Sequence, residues 1–211
     1  MADPLKIDAD KSTWARYAEG TVGRDPMKFL AQAIEQTAGE EGDGRLAIDL
    51  GSGAGNETLA LLERGWKVHA VDSEPRAIEM LESRVDKTQR SRLTTQVGAF
   101  DKAALPLADL VFASLSLPFA GDSHDLSVQR ALKAVKPGGW FVGVLIGHND
   151  TWSSNTEVSS VDRGDIAALF TGFDPVEIDE EEFDGSSSIG EKHWHWYVVS
   201  AHRPGSSRSK V

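Results

Sequence analysis

The chain contains no cysteine among its 211 residues. That excludes a disulfide-stapled fold and any thiolate metal site, and it favours a reducing compartment. Long apolar runs are missing too. The longest, Trp140 to Ile146, falls far short of the roughly 20 residues a spanning helix needs, so no membrane partner is expected. The first ten residues carry Asp3, Lys6, Asp8 and Asp10 and no apolar stretch, so no secretory signal peptide is read there and a cytoplasmic location is expected. Basic runs are absent outside the short tail Arg203 to Lys210, and the formal net charge is −11. Nucleic-acid binders draw most of their affinity from neutralised phosphates, so no nucleic-acid partner is expected.

The length suits one domain, placed at 1–203, in which 1–44 supplies an N-terminal helical lid and a first helix. The polar, glycine- and proline-punctuated stretch 204–211 reads as a disordered tail. No internal repeat is present. Between the ends, short apolar runs alternate with helical periodicity. Strands are expected at Leu46 to Leu50, Lys67 to Val71, Leu93 to Val97 (polar, hence an edge), Asp109 to Ala113 and Trp140 to Ile146. A weaker strand signal lies near Pro175 to Ile178 and a strong one at Trp194 to Ala201. Helices are expected at Glu57 to Arg64, from Pro75, at Leu126 to Val135 and at Asp165 to Phe170, with Pro137-Gly138-Gly139 as a turn. This alternation predicts an α/β fold: a doubly wound, mainly parallel seven-stranded sheet with an antiparallel last strand and helices on both faces. The stretch from Glu180-Glu181-Glu182 to Ser186-Ser187-Ser188 and Gly190 reads as an acidic, flexible hairpin-like connection, its glutamates as a solvated face.

The strongest local signal is Asp49-Leu50-Gly51-Ser52-Gly53-Ala54-Gly55-Asn56, which follows a strand and opens a helix. Glycines permit the tight turn and let a ligand approach the backbone, whose N–H groups face it at the helix start. A nicotinamide fingerprint requires glycine at the sixth position, where Asn56 stands. Asp49 would repel a pyrophosphate and favour an ammonium, so the spacing points to a cationic, phosphate-free nucleoside. Asp72 ends the second strand about 20 residues later, where an acid accepts both hydrogen bonds of a ribose diol, with Ser73 beside it.

These motifs resemble the class I S-adenosylmethionine-dependent methyltransferases, and the resemblance runs from Leu46 to Ala201. It continues in Gly98-Ala99-Phe100-Asp101, in Ala108-Asp109-Leu110-Val111 and in Leu132-Lys133-Ala134-Val135-Lys136-Pro137-Gly138-Gly139. Leu117-Pro118-Phe119 and Gly190-Glu191-Lys192-His193-Trp194-His195 are similar to the small single-domain tellurite- and thiol-methyltransferase type. The resemblance implies S-adenosylmethionine as cofactor. It assigns Tyr17, Arg24, Asp49, Gly51, Ser52, Gly53, Gly55, Asp72, Ser73, Phe100, Asp101 and Ser114 to its binding, with Phe100 and Asp101 holding the adenine and Arg24 meeting the carboxylate. Acceptor contacts fall to Trp14, Leu117, Pro118, Phe119 and Trp152.

Catalytic candidates are Ser116, first in the string Ser116-Leu117-Pro118-Phe119, and His148, placed by topology on the pocket side beyond the fifth strand as a base. The string lacks the proline found at its second position in enzymes that methylate planar amines, which argues against an adenine or glutamine acceptor. No metal is expected. His193 and His195, two apart on a strand, read as sheet-surface histidines, and Trp194 and Trp196 as core. The reaction implied is methyl transfer to a small-molecule acceptor by in-line displacement, in a monomer or homodimer. Alternatives are a protein side-chain methyltransferase or a non-catalytic S-adenosylmethionine-binding module.

Overall fold

The computed structural model describes residues 11–38, 42, 44–187 and 190–205. Two helices open the chain, α1 (Lys11–Thr21) and α2 (Lys28–Ala38). There follow β1 (Leu46–Leu50), α3 (Asn56–Glu63), β2 (Lys67–Asp72), α4 (Pro75–Arg84), β3 (Leu93–Val97) and β4 (Ala108–Ala113). The second half comprises α5 (His124–Ala134), β5 (Val135–Gly147), β6 (Ser160–Val161), α6 (Arg163–Leu169), β7 (Val176–Ser187) and β8 (Gly190–His202). The sheet runs β3-β2-β1-β4-β5-β8-β7, and β6 pairs with the end of β5. All pairings are parallel except those of β8, which is antiparallel to both β5 and β7.

Alternation along each strand divides the core into two layers. Ile48, Val111 and Phe141 point to one face, against Val128 and Ala131 of α5 and Ile166 of α6. Ala47, Leu110, Phe112 and Val142 point to the other, against Leu30 and Ile34 of α2, Leu61 and Leu62 of α3, and Leu81 of α4. A strand covered on both faces must be apolar at every position, which is why β1 and β4 read as continuous apolar runs. The half-exposed β3 ends the sheet, as its polarity predicted.

The structure departs from the sequence reading in three places. A short eighth strand, β6, joins the sheet. Glu180 to Ser187 form strand and not a connection: β7 pairs with β8 throughout, from Val176 opposite Ala201 to Ser187 opposite Gly190. The run looked loose because its side chains are mostly exposed, and charge is what a solvated sheet edge carries to deter pairing with other chains. Finally, Lys136-Pro137-Gly138 is a bulge inside β5. Val135 sits opposite Ala108 and Trp140 opposite Leu110, so the single residue Asp109 of β4 faces four of β5, 136–139, and Gly138 takes φ +82°. Among the described residues no helix is long and apolar enough to cross a membrane. Residues 206–211 of the expected tail lie outside the described residues.

One glycine ties the fold to the cleft above it. Gly55 precedes α3 at φ +88°, and a Cβ there would meet Leu81 Cδ1 at 2.3 Å. Gly55→Ala combines left-handed strain with overpacking and should lower unfolding stability by about 1–3 kcal/mol. Urea denaturation checks this, and an unchanged midpoint would contradict the packing described.

Candidate functional site

Strand order reverses between β1 and β4, and a cleft opens there beyond the carboxyl ends of β1, β2 and β4, the usual ligand position in such sheets. It has two lobes that share Tyr17, Gly51, Gly53, Ser114 and Leu115.

The glycine turn forms the floor, and its glycines serve different ends. Gly51 N–H donates to Val71 O at 2.7 Å, turning the chain back onto β2. A Cβ on Gly51, at φ +76°, would meet Ser116 Cβ at 2.3 Å, so this glycine admits the loop after β4. Gly53 also has positive φ, but nothing lies within 4 Å of its would-be Cβ. The space over it is left open to the cleft.

Three carboxylates surround this turn. Asp49 is 2 % exposed and accepts a hydrogen bond from Thr58 Oγ1 at 2.6 Å. Burial, reinforced by the neighbouring charge of Glu57, pushes its pKa up to about 7. Asp72 accepts from Gly53 N at 2.8 Å and from Glu74 N at 2.9 Å, and burial raises its pKa as well. Glu57, also buried, is matched by Arg24 at 2.7 Å and by Met27 N at 3.2 Å.

Asn56 works beside Glu57. It accepts from Gly23 N at 3.2 Å and from Arg84 NH1 at 3.0 Å, and it donates to Thr21 O at 2.8 Å. Residues 56 and 57 thereby latch the segment 21–27 over the glycine turn. Upon that segment α1 carries Trp14 and Tyr17, both lining the first lobe. Trp14 packs edge-on against Phe119 at 5.0 Å.

The structure brings most of the expected residues together. Trp14, Tyr17, Gly51, Gly53, Asp72, Ser73, Phe100, Ser114, Ser116 and Phe119 line the first lobe. Arg24, Asp49 and Ser52 line the second, with Tyr17 again. Others fall elsewhere. Gly55 packs on α4, and Asp101, half-buried, lines neither lobe. Leu117 is 1 % exposed in the core. Pro118 is buried, its carbonyl accepting from Ser159 N at 2.8 Å. Trp152 stands behind Phe119, ring centroids 5.6 Å apart, and does not reach the cleft.

The two catalytic candidates fall in different places. Ser116 is at the cleft, but its hydroxyl donates to Leu50 O at 2.6 Å, so it holds the loop after β4 against β1. His148 is exposed and lines neither lobe; its Nδ1 lies 2.9 Å from Ser160 Oγ. The pairing of β5 with β6, unseen in the sequence, carries His148 to that side, near Asp162 and Asp165. Those two acids form the capping box of α6. Arg24 is likewise already engaged by Glu57. His195 is no surface histidine: it is 5 % exposed, packed on Gly147 and 3.1 Å from Glu180 Oε1.

Trp194 belongs to a small apolar cluster with Ile146, Trp152 and Val158, and Trp196 packs against it, so the sequence reading of both as core holds; both also line the second lobe with Ser186 and Ser187 from the far end of the hairpin, which that reading did not foresee. Alternation along β8 put Trp194 and Trp196 on one face, and nothing in that spacing shows that the face also borders a cleft. Asn56 and Glu57 were missed as latches because their partners lie about 30 residues earlier in the chain.

Residues 48–143 match a family model described as a methyltransferase domain. A stretch of 71 residues is 37 % identical to a probable dimethyladenosine transferase of Drosophila melanogaster, covering 33 % of this chain and 23 % of that protein. Phosphoethanolamine N-methyltransferase 2 of Haemonchus contortus, solved with S-adenosyl-L-methionine, superposes with a TM-score of 0.71 at 18 % identity, over 94 % of this chain and 58 % of that one. TehB of Haemophilus influenzae gives 0.67 at 13 % identity, over 84 % and 62 %. The chain thus spans under a quarter of the curated relative and somewhat over half of the first structure.

The protonation of Asp49 makes stability depend on pH. Its folded pKa of about 7 lies well above the ordinary aspartate value of 3.8, so the folded state binds the proton more tightly and stability falls as pH rises from about 4 to 7. Asp49→Asn should flatten that decline, retaining on the order of 3 kcal/mol at pH 7 that the parent loses. Unfolding midpoints at pH 5 and pH 7.5 check this; parallel curves for the two proteins would refute it.

Proposed function

We propose that this chain, which carries a methyltransferase domain with the class I S-adenosylmethionine-dependent fold, methylates a small-molecule acceptor. The observation that carries this reading is the convergence of Asp49, Asp72 and the open face of Gly53 on one cleft that α1 roofs with aromatic rings.

The residues fit the cofactor. Asp72 offers a carboxylate at the ribose position of the fold, and Asp49 offers negative charge for an ammonium. Ser52 Oγ is buried with no hydrogen-bond partner, a polar atom that a bound ligand would satisfy. Phe100 supplies an apolar face to the first lobe and Tyr17 an aromatic one to both. When bound, S-adenosylmethionine supplies a methyl carbon already activated by its sulfonium. The protein is then left with alignment and the exclusion of water. Tyr17, at the junction of the lobes, offers a π-face to positive charge. Trp14 and Phe119 exclude water from the first lobe.

A small acceptor suits a cleft roofed by α1 and walled by the β7–β8 hairpin better than a polymer does. The net charge of −11 argues against nucleic acid as substrate. We place the activity in the cytoplasm, in a monomer or homodimer; the cysteine-free sequence supports the compartment.

Isothermal titration should show micromolar binding of S-adenosylmethionine and S-adenosylhomocysteine and none of NAD. Binding of NAD alone would overturn the reading of Asp49 and the glycine turn. Asp72→Ala should weaken cofactor binding by about 1.5–3 kcal/mol, the worth of hydrogen bonds to a charged group. Unchanged affinity in the folded variant would remove Asp72 from the ribose.

A further inference from the structure

We propose that Leu115 is a site residue whose side chain closes the junction between the two lobes and shields the cofactor's sulfonium from water. The inference rests on the methyltransferase reading above and assigns a further residue to its site.

The backbone is the first argument. Among the described residues Leu115 is the one non-glycine position with φ in the left-handed region, at +50°. That conformation crowds a Cβ against the following carbonyl and strains a leucine, whereas glycine adopts it freely. The chain is pinned on both sides of this turn. Ala113 ends β4 opposite Gly143 of β5. Ser116 donates its hydroxyl to Leu50 O at 2.6 Å and seats its Cβ against Gly51. Two residues must join these points, so the surroundings impose the turn, which is the condition under which such strain persists. Glycine would make the same turn unstrained, yet the sequence places a branched apolar side chain there.

Position is the second. Leu115 lines both lobes, as do Tyr17, Gly51, Gly53 and Ser114. The first lobe holds Asp72 and Phe100, the candidates for ribose and adenine, and the second holds Asp49, the candidate for the ammonium. Sulfur joins the adenosyl and methionyl halves of the cofactor, so the residues common to both lobes border it. Gly51 and Gly53 offer backbone there, Tyr17 a ring and Ser114 a hydroxyl; Leu115 supplies the aliphatic group. It packs against the cluster of Ile146, Trp152, Val158 and Trp194, so an apolar layer continues from the junction into the protein. Core packing does not by itself account for the residue, because Leu115 is only partly buried and faces both lobes. Water excluded at this point leaves the activated methyl carbon to the acceptor.

A sulfonium and a thioether respond differently to such a shield. A charge kept from water is costly, and a neutral thioether bears no such cost. Removing the shield therefore strengthens binding of S-adenosylmethionine relative to S-adenosylhomocysteine. The lost contact with one methyl group acts the other way and is the smaller effect.

Isothermal titration of both ligands into the full chain, Leu115→Gly and Leu115→Asn tests the shield. Asparagine is close to leucine in size and tolerates left-handed backbone, so it preserves the turn while making the junction polar. In each variant the affinity for S-adenosylmethionine relative to S-adenosylhomocysteine should rise about fivefold or more over that of the parent. Equal changes for the two ligands, which a purely structural role would give, would overturn the proposal, as would a fall in the ratio. Urea unfolding without ligand checks the backbone. Leu115→Gly should have a higher midpoint than Leu115→Ala, the reverse of the usual order of these residues, and the usual order would also overturn the proposal. Binding of neither ligand to the parent chain would sink the methyltransferase reading and this inference together, whereas equal changes sink this inference alone.

Discussion

The arrangement of the cleft depends on keeping three carboxylates at its floor in a place that water barely reaches. Asp49 and Glu57 are almost fully buried and Asp72 largely so, and isolated charges in such a setting are costly unless each is answered. Each is answered differently. Asp49 meets one hydroxyl and holds its proton to near neutrality. Asp72 takes two backbone N–H groups from the turns on either side of it. Glu57 takes a guanidinium and an N–H from the segment leading out of α1. Answering Glu57 therefore draws the N-terminal segment over the cleft, so the roof of the site follows from the electrostatics of its floor.

The opposite wall has its own buried charge pair. Asp150 accepts the N–H groups of Trp152 and His195 as well as Lys192 Nζ, tying the loop after β5 to β8. Burial lowers the Lys192 pKa to about 8, against the pull of Asp150. A pair of this kind adds little net stability, since desolvating both charges offsets their attraction. It does tie two indoles and one strand to the same point. The long β7–β8 hairpin then carries Trp194 and Trp196 past the end of the parallel strands, onto a small apolar cluster with Ile146, Trp152 and Val158.

The legibility of these features in the sequence followed how local their causes are. β1, β2 and β4 were read closely because burial on both faces writes a continuous apolar run. The glycine turn was read because left-handed backbone admits few residues other than glycine. The end of β7 was not read, because a strand that overhangs the sheet has no buried face and its glutamates look like a loop. His148 was misplaced because a two-residue strand, β6, leaves almost no pattern. Trp194 and Trp196 were read as core partners on one face, which the packing bears out, but that they also border the cleft was not read, since an indole that lines a cleft and one that fills a core have the same spacing.

Asn56 shows how one position can set two properties. In the sequence its importance was negative: it stands where a dinucleotide fingerprint has glycine. In the structure all of its hydrogen bonding is directed outward, to Thr21, Gly23 and Arg84. A glycine there could form none of these bonds, and the segment 21–27 would be held by Glu57 alone. The residue that departs from the dinucleotide pattern thus helps Glu57 fasten the roof, whose Arg24 lines the second lobe beside the glycine turn. A pyrophosphate at this turn would lack the sixth-position glycine, and Asp49 would repel it. Closure over the cleft and rejection of a dinucleotide have the same structural cause.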